Sequence, residues 1–397
     1  MRYSVVLRQD DEGNWYILSK GIPGMTLYAR AGLAQHGLSL KEQEERQIAM
    51  YKKFASGEWT GLAESAVLDI LHNEYDRKFD NYVMTPSNHM VGIDAGCSFA
   101  LAACGYPYHN ESITPRLLRS LPRLDGLYYA FNWIGSYEGG IVYILTPALQ
   151  EAVEECAQSP HFRRELNITF LKALLRPDSL CETLLTHHRD DDQSLSKAEE
   201  IILNGGIRIH ETTDTYGNYK RYRANGLTQR KEQLCEAACQ DKDFAELIRD
   251  EACCQQVKEE YFAYLCELTM TSKDELVSDE ERVKLQETMD AQLAVLSKVI
   301  PAIQTFSEET YQAIVAKYEE EQTRARGGRL LIPTRTQASM ENIAKAKDSV
   351  ERYHIAQALI AADTVPRSGF LTMIEKALAK QAAQILKKET PQITARP

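Results

Sequence analysis

Asp76, Asn81 and Asp94 fall within one short stretch, EYDRKFDNYVMTPSNHMVGIDAGCSF, residues 74–99. Two carboxylates and a carboxamide are suited to magnesium, which prefers oxygen ligands and keeps several of its waters. Phosphoryl transfer needs the same groups: ligands for a metal that bridges the phosphate oxygens, and a carboxylate that orients the attacking hydroxyl. Its demands are positional more than covalent, so the question is what would bring the three side chains together.

The surrounding pattern supplies an answer. Asn81-Tyr82-Val83-Met84 and His89-Met90-Val91-Gly92-Ile93 flank the turn signal Thr85-Pro86-Ser87-Asn88, so a β-hairpin is expected. Asn81 opens its first strand and Asp94 follows its second, where Ala95-Gly96 permits a sharp turn. Both then lie at one end of the ribbon, and Asp76, in the irregular segment 74–80, lies beside them. A helix is expected over 60–73, from apolar spacing at Leu62, Ala66, Ile70 and Leu71. Ser39 with Glu42 forms a capping box that opens another helix toward Phe54. Residues 3–18 read as two strands around the polar turn Gln9 to Gly13, and Gly21-Ile22-Pro23-Gly24 breaks the pattern.

Asp76-Arg77-Lys78-Phe79-Asp80-Asn81 resembles the catalytic loop of the protein-kinase-like superfamily, in which an Asp is followed five positions later by an Asn. The Asp-Arg start, Asn81-x-x-Met84 and Ile93-Asp94-x-Gly96 are closer to phosphoinositide 3- and 4-kinases, whereas Lys78 is the protein-kinase choice. Similar hybrids occur among secreted effector kinases of intracellular bacterial pathogens. The resemblance covers roughly residues 14–110. It implies that Asp76 is the catalytic carboxylate, that Lys78 contacts the transferred phosphate, and that Asn81 and Asp94 hold Mg or Mn. It also implies that Leu18, Ser19 and Lys20 belong to a hinge meeting the adenine of ATP. The expected substrate is then a protein or an inositol lipid, and the expected setting a host cytosol. Two departures stand out. Glu74-Tyr75 replaces the usual His-Arg ahead of the Asp, and no Gly-rich loop or ATP-binding Lys is visible in residues 1–15. The second departure favours an alternative, a catalytically degenerate kinase-like module that binds phosphoinositide or inositol phosphate and serves as a membrane-targeted scaffold.

Beyond residue 140 the chain reads as mostly helical. Periodic segments run over 145–156 and 163–175, and Ser196 with Glu199 marks another helix start. An inserted hairpin is expected over 207–222. Its cations Arg208, Lys220, Arg221 and Arg223, with Arg230 following, interleave with Tyr216, Tyr219 and Tyr222. Clustered Arg and Lys match phosphate oxygens, so this region is a candidate pocket for an inositol phosphate or phosphoinositide head group. Long charged amphipathic helices are expected over 229–318, and an Ala- and Lys-rich helical region over 338–388. The fold class is therefore α+β, mainly α: a kinase-like carboxy-lobe with small β-hairpins plus a helical accessory region. The segments are 1–24 (remnant nucleotide lobe and hinge), 25–200 (catalytic lobe), 201–330 (inserted hairpin and helices) and 331–397 (basic helical end).

Charge and cysteine usage bound the partners. A net charge of −11 argues against nucleic acid as a partner. From Arg324 onward, however, thirteen Lys or Arg face six Asp or Glu, which suits an anionic membrane surface. Nine Cys without zinc spacing read as free thiols in a reducing compartment, and no leader or spanning run is visible, so a cytoplasmic setting is expected. His161 and Glu165, spaced i, i+4, read as an exposed pair on a helix surface.

Overall fold

In the computed structural model, residues 5–9, 15–19, 22–72, 79–92, 113–119, 121, 146–176, 230–270, 279–326, 334–362 and 369–389 are described. They form a mainly helical protein with two small antiparallel sheets. In chain order the elements are strands β1 (Val5–Gln9), β2 (Trp15–Ser19) and β3 (Met25–Thr26), then helices α1 (Leu27–Arg30), α2 (Leu40–Ser56) and α3 (Leu62–His72). A 3-10 turn, Phe79–Asn81, leads into β4 (Tyr82–Met84) and β5 (Met90–Gly92). Then come α4 (Pro115–Arg119), α5 (Pro147–Gln158), α6 (Pro160–Leu175) and α7 (residues 230–238). The rest is α8 (Lys242–Arg249), α9 (Glu251–Met270), α10 (Asp279–Ile303), α11 (Glu308–Arg326), α12 (Thr334–Ala344), α13 (Ser349–Ala362) and α14 (Gly369–Glu389). The expected hairpins over 3–18 and 81–93 are both present. The expected basic hairpin over 207–222 and the helix start at Ser196 lie outside the described residues.

The chain divides into two compact units by space rather than by order along the sequence. The first gathers residues 1–113, 117–234 and 252–289. Its helical core comes from α2 packing on α5 and α6, and α3 on α6. Met50, Tyr51 and Phe54 of α2 are buried there with Val67 and Leu71 of α3, Val153 and Cys156 of α5, and Phe162, Leu166 and Phe170 of α6. Each such apolar side chain contributes about 1.5–3 kcal/mol when withdrawn from water. Helix starts follow local chemistry. Ser39 accepts from the Glu42 amide while Glu42 returns a bond to the Ser39 amide, the reciprocal cap expected from sequence. Ser159 ends α5 and caps α6, with Pro160 next, where a missing N–H costs nothing.

The second unit holds residues 114–116, 235–251 and 290–397. The expected helical stretch over 338–388 is three helices, α12 to α14, and α13 packs on both of the others. They close over Phe306, Ile314, Met340, Ile343, Tyr353, Ile360, Phe370, Ile374 and Leu378. Neutral amides tie its loops. The buried Gln381 donates to the Thr305 carbonyl and accepts from the Ser307 amide at 3.1 Å. Gln304 donates to the Asp241 carbonyl at 3.3 Å and accepts from Arg249.

Candidate functional site

The ribbon that carries Asn81 is short and held from several sides. Strand β4 sits between β3 and β5, with Met25 opposite Met84, Met84 opposite Met90, and Tyr82 opposite Gly92. Both Met84 and Met90 are buried. Two glycines press on this rung. A Cβ on Gly24 would stand 2.2 Å from the Met84 carbonyl oxygen, and one on Gly61 would stand 2.2 Å from that of Met90. Gly61 also has a φ of +91°, a conformation that side chains resist. Only glycine fits at either place. The turn is closed by the Asn88 amide donating to the Thr85 carbonyl at 3.0 Å, and Arg30 of α1 reaches the Asn88 side chain at 2.8 Å.

The start of α3 is stitched to the same ribbon. The Met90 amide donates to the Thr60 carbonyl at 2.8 Å, and the Thr60 amide donates to the Asn88 carbonyl at 3.0 Å. The Thr60 hydroxyl shares a 3.0 Å hydrogen bond with Nδ1 of His89. Nε2 of His89 lies 3.7 Å from the Glu64 carboxylate. Burial lowers the His89 imidazole below its ordinary value, against the pull of Glu64. Farther along α3, the Tyr82 hydroxyl donates to Asp69 at 2.7 Å.

Gly61 stands at the N-cap position of helix α3, and it has no side chain to satisfy the helix's free amides. A carboxylate from another helix does so. Oε1 of Glu165, on α6, accepts the Gly61 N–H at 2.5 Å, and the same side chain meets the Glu64 N–H. Burial pushes the Glu165 carboxyl up to about 7, outweighing the two amides, while the nearby Glu64 carboxylate adds to the rise. Its neighbour Cys156 on α5 is a thiol pushed up to about 12, chiefly by burial and further by Glu165. The expected surface pair is thus split: His161 is exposed, whereas Glu165 turns inward. The signal for this was present. Glu165 lies three residues after Phe162 and four before Thr169, both buried, so helical spacing sets it on the inward face.

Of the residues expected to handle phosphate and metal, Asn81 is the one described. It ends the 3-10 turn at the foot of β4, is 4% exposed, and makes contacts within the chain. Asp76, Lys78 and Asp94 lie outside the described residues, Asp94 two positions beyond the paired Gly92. Leu18 and Ser19 sit in β2 opposite Val6 and Val5, and Lys20 lies outside the described residues. So do Arg208, Lys220, Arg221 and Arg223.

Arg230 is described and does not belong to an exposed basic face. It is buried, and its Nε donates to the Ile70 carbonyl in the last turn of α3. Lys231 beside it donates to the carbonyl of Arg176, the residue that ends α6. Cations suit helix C-termini, where unpaired carbonyls carry partial negative charge. The six described cysteines are all free thiols, as composition suggested. Among the described residues no group of three or more His, Cys, Asp or Glu is placed to hold a metal ion, and no helix is long and apolar enough to cross a membrane. No protein-family model, curated protein or solved structure matches this chain.

Proposed function

We propose that the protein is an ATP- and divalent-metal-dependent phosphotransferase acting on a protein or an inositol lipid. The observation that carries this reading is the ribbon itself. The hairpin expected from the turn signal Thr85 to Asn88 is present, with Asn81 at the foot of β4 beside the rung Tyr82–Gly92. Asp94 follows that rung by two residues, and Asp76 precedes Asn81 by five. In this reading Asp76 orients the acceptor hydroxyl, Lys78 meets the transferred phosphate, and Asn81 and Asp94 hold Mg or Mn, whose charge offsets that developing on the phosphate. The setting proposed is a host cytosol reached by secretion. Incorporation of labelled phosphate from ATP into mixed protein and phosphoinositide substrates tests the reading. Wild type is expected to transfer and Asp94→Ala to fall by at least about a hundredfold. Equal transfer by both, or none by wild type with either metal, removes it.

A second reading, a non-catalytic module that binds anionic phosphoinositide membranes, is favoured by helix α14. Its buried face is Phe370, Leu371, Ile374, Leu378 and Leu386, and Lys376, Lys380 and Lys387 are exposed within one narrow stripe opposite. Each cation at an anionic leaflet contributes about 1 kcal/mol. Sedimentation with vesicles containing phosphatidylinositol phosphates should fall on replacing these lysines by Gln. Binding indifferent to anionic lipid rules this reading out.

A further inference from the structure

The Glu165 side chain reaches the ribbon through a short chain of contacts. It holds the Gly61 and Glu64 amides. Gly61 lies in direct backbone contact with Met90, and Thr60 exchanges two backbone hydrogen bonds with residues 88–90. Met90 pairs with Met84, and two residues before Met84 stands Tyr82, preceded by Asn81. A glycine in contact with backbone offers few soft atoms to absorb a displacement, so a shift at Gly61 is passed on to Met90.

The geometry points to Glu165 as a positioning residue whose change of protonation shifts the ribbon bearing Asn81. A carboxylate accepts N–H groups more strongly than a carboxylic acid does. Ionisation therefore draws the start of α3 toward α6 and places a second negative charge beside the Glu64 side chain. Among the described residues, four charged or titratable groups bear on Glu165 or on its neighbour Glu64 besides Glu64 itself: Lys172, Cys156, His89 and Tyr264. Glu64 faces it from α3 and opposes its ionisation, and Lys172 on its own helix favours it. Cys156 faces it from α5 and stays a neutral thiol near neutral pH. Glu64 in turn interacts with His89 on the ribbon and with Tyr264 on α9. With the carboxyl raised to about 7, the change falls near neutral pH.

The inference rests on the phosphotransferase reading only in its second arm. The first arm is nuclear magnetic resonance of the full chain. Thr60–Gly61 and Asp80–Asn81 are the sequence's single Thr-Gly and Asp-Asn pairs. Carbonyl-13C labelling of Thr with 15N-Gly, and of Asp with 15N-Asn, therefore identifies the Gly61 and Asn81 amides. In wild type both are expected to titrate between pH 6 and 8 with one shared midpoint, Gly61 moving downfield as pH rises. Glu165→Gln, which keeps an acceptor oxygen but cannot ionise, should leave both flat. Titration of Gly61 without Asn81 would confine Glu165 to capping α3 and overturn the positioning role, as would two flat wild-type signals. These readouts need no variant, so a poorly folded Glu165→Gln leaves the test intact. The second arm is the pH profile of phosphoryl transfer. Wild-type kcat should rise about tenfold from pH 6 to 8 at unchanged KM for ATP, below the hundredfold that a misplacement of about 1 Å can cost. Glu165→Gln should show no such rise. Superposed profiles with active wild type sink the regulation and leave the kinase reading standing. Inactive wild type sinks the kinase reading and leaves the resonances to decide on Glu165.

Discussion

The two units are stabilised by different means. The second is closed by hydrocarbon between helices and by neutral side-chain amides at its loops, with Gln304 and Gln381 as ties. The first adds to its helical core a small ribbon gripped by glycine contacts and a half-buried carboxyl raised to about 7. Hydrocarbon burial is insensitive to pH and tolerant of small shape changes at modest cost. Backbone-to-backbone contact tolerates no added atoms, and an ionisable group withdrawn from water responds to pH. A region built from them is sensitive to substitution and to pH, and it is the region that holds Asn81.

The comparison is broken most directly at Gly61. Gly61→Ala puts a methyl group 2.2 Å from the Met90 carbonyl oxygen at a φ of +91°, so a loss of roughly 3–4 kcal/mol is expected in urea denaturation. A loss under about 1 kcal/mol would show that the ribbon yields easily. In the second unit, Ile374→Ala removes a fully buried side chain at about 3 kcal/mol, the same at pH 6 and pH 8 when followed by far-ultraviolet circular dichroism. A pH-dependent cost there would erase the contrast.

Glu165→Gln sharpens it. A carboxyl raised from about 4.5 to about 7 binds its proton more tightly in the folded state. The stability this contributes is complete below pH 4.5 and lost as pH rises through 7. Thermal denaturation should find the variant about 2–3 kcal/mol more stable than wild type at pH 8, and close to wild type at pH 4.5. A constant difference between the two proteins would contradict the burial of Glu165. The smallest effect should be shared by both units. Ser159→Ala and Asp241→Ala each remove a helix cap, in the first and second unit respectively, and each is expected to cost about 1 kcal/mol. Unequal losses would mean that the units differ in local helix chemistry as well as in their cores.

Much of the local structure was legible from the residues alone. Ser39 with Glu42, the turn Thr85 to Asn88 and the apolar spacing of residues 62–71 each encode an element through neighbours a few positions away. Such signals are read over one or two turns of chain, and their partners are fixed by spacing. The helical character of the last third followed in the same way, although its division into α12, α13 and α14 did not.

What the sequence by itself determined is the local signals, namely the caps, the hairpin turn and the helical spacing, and the order of Asp76, Asn81 and Asp94 along the chain. Tertiary structure decided which polar groups face inward. Glu165 and Arg230 both carry charge, and charge alone suggests a solvated surface. Glu165 turns inward to the Gly61 amide and Arg230 is buried against the Ile70 carbonyl, groups that lie 104 and 160 residues away in the chain. A helix end needs a partner for its unpaired backbone groups, but nothing local states which distant side chain will supply it.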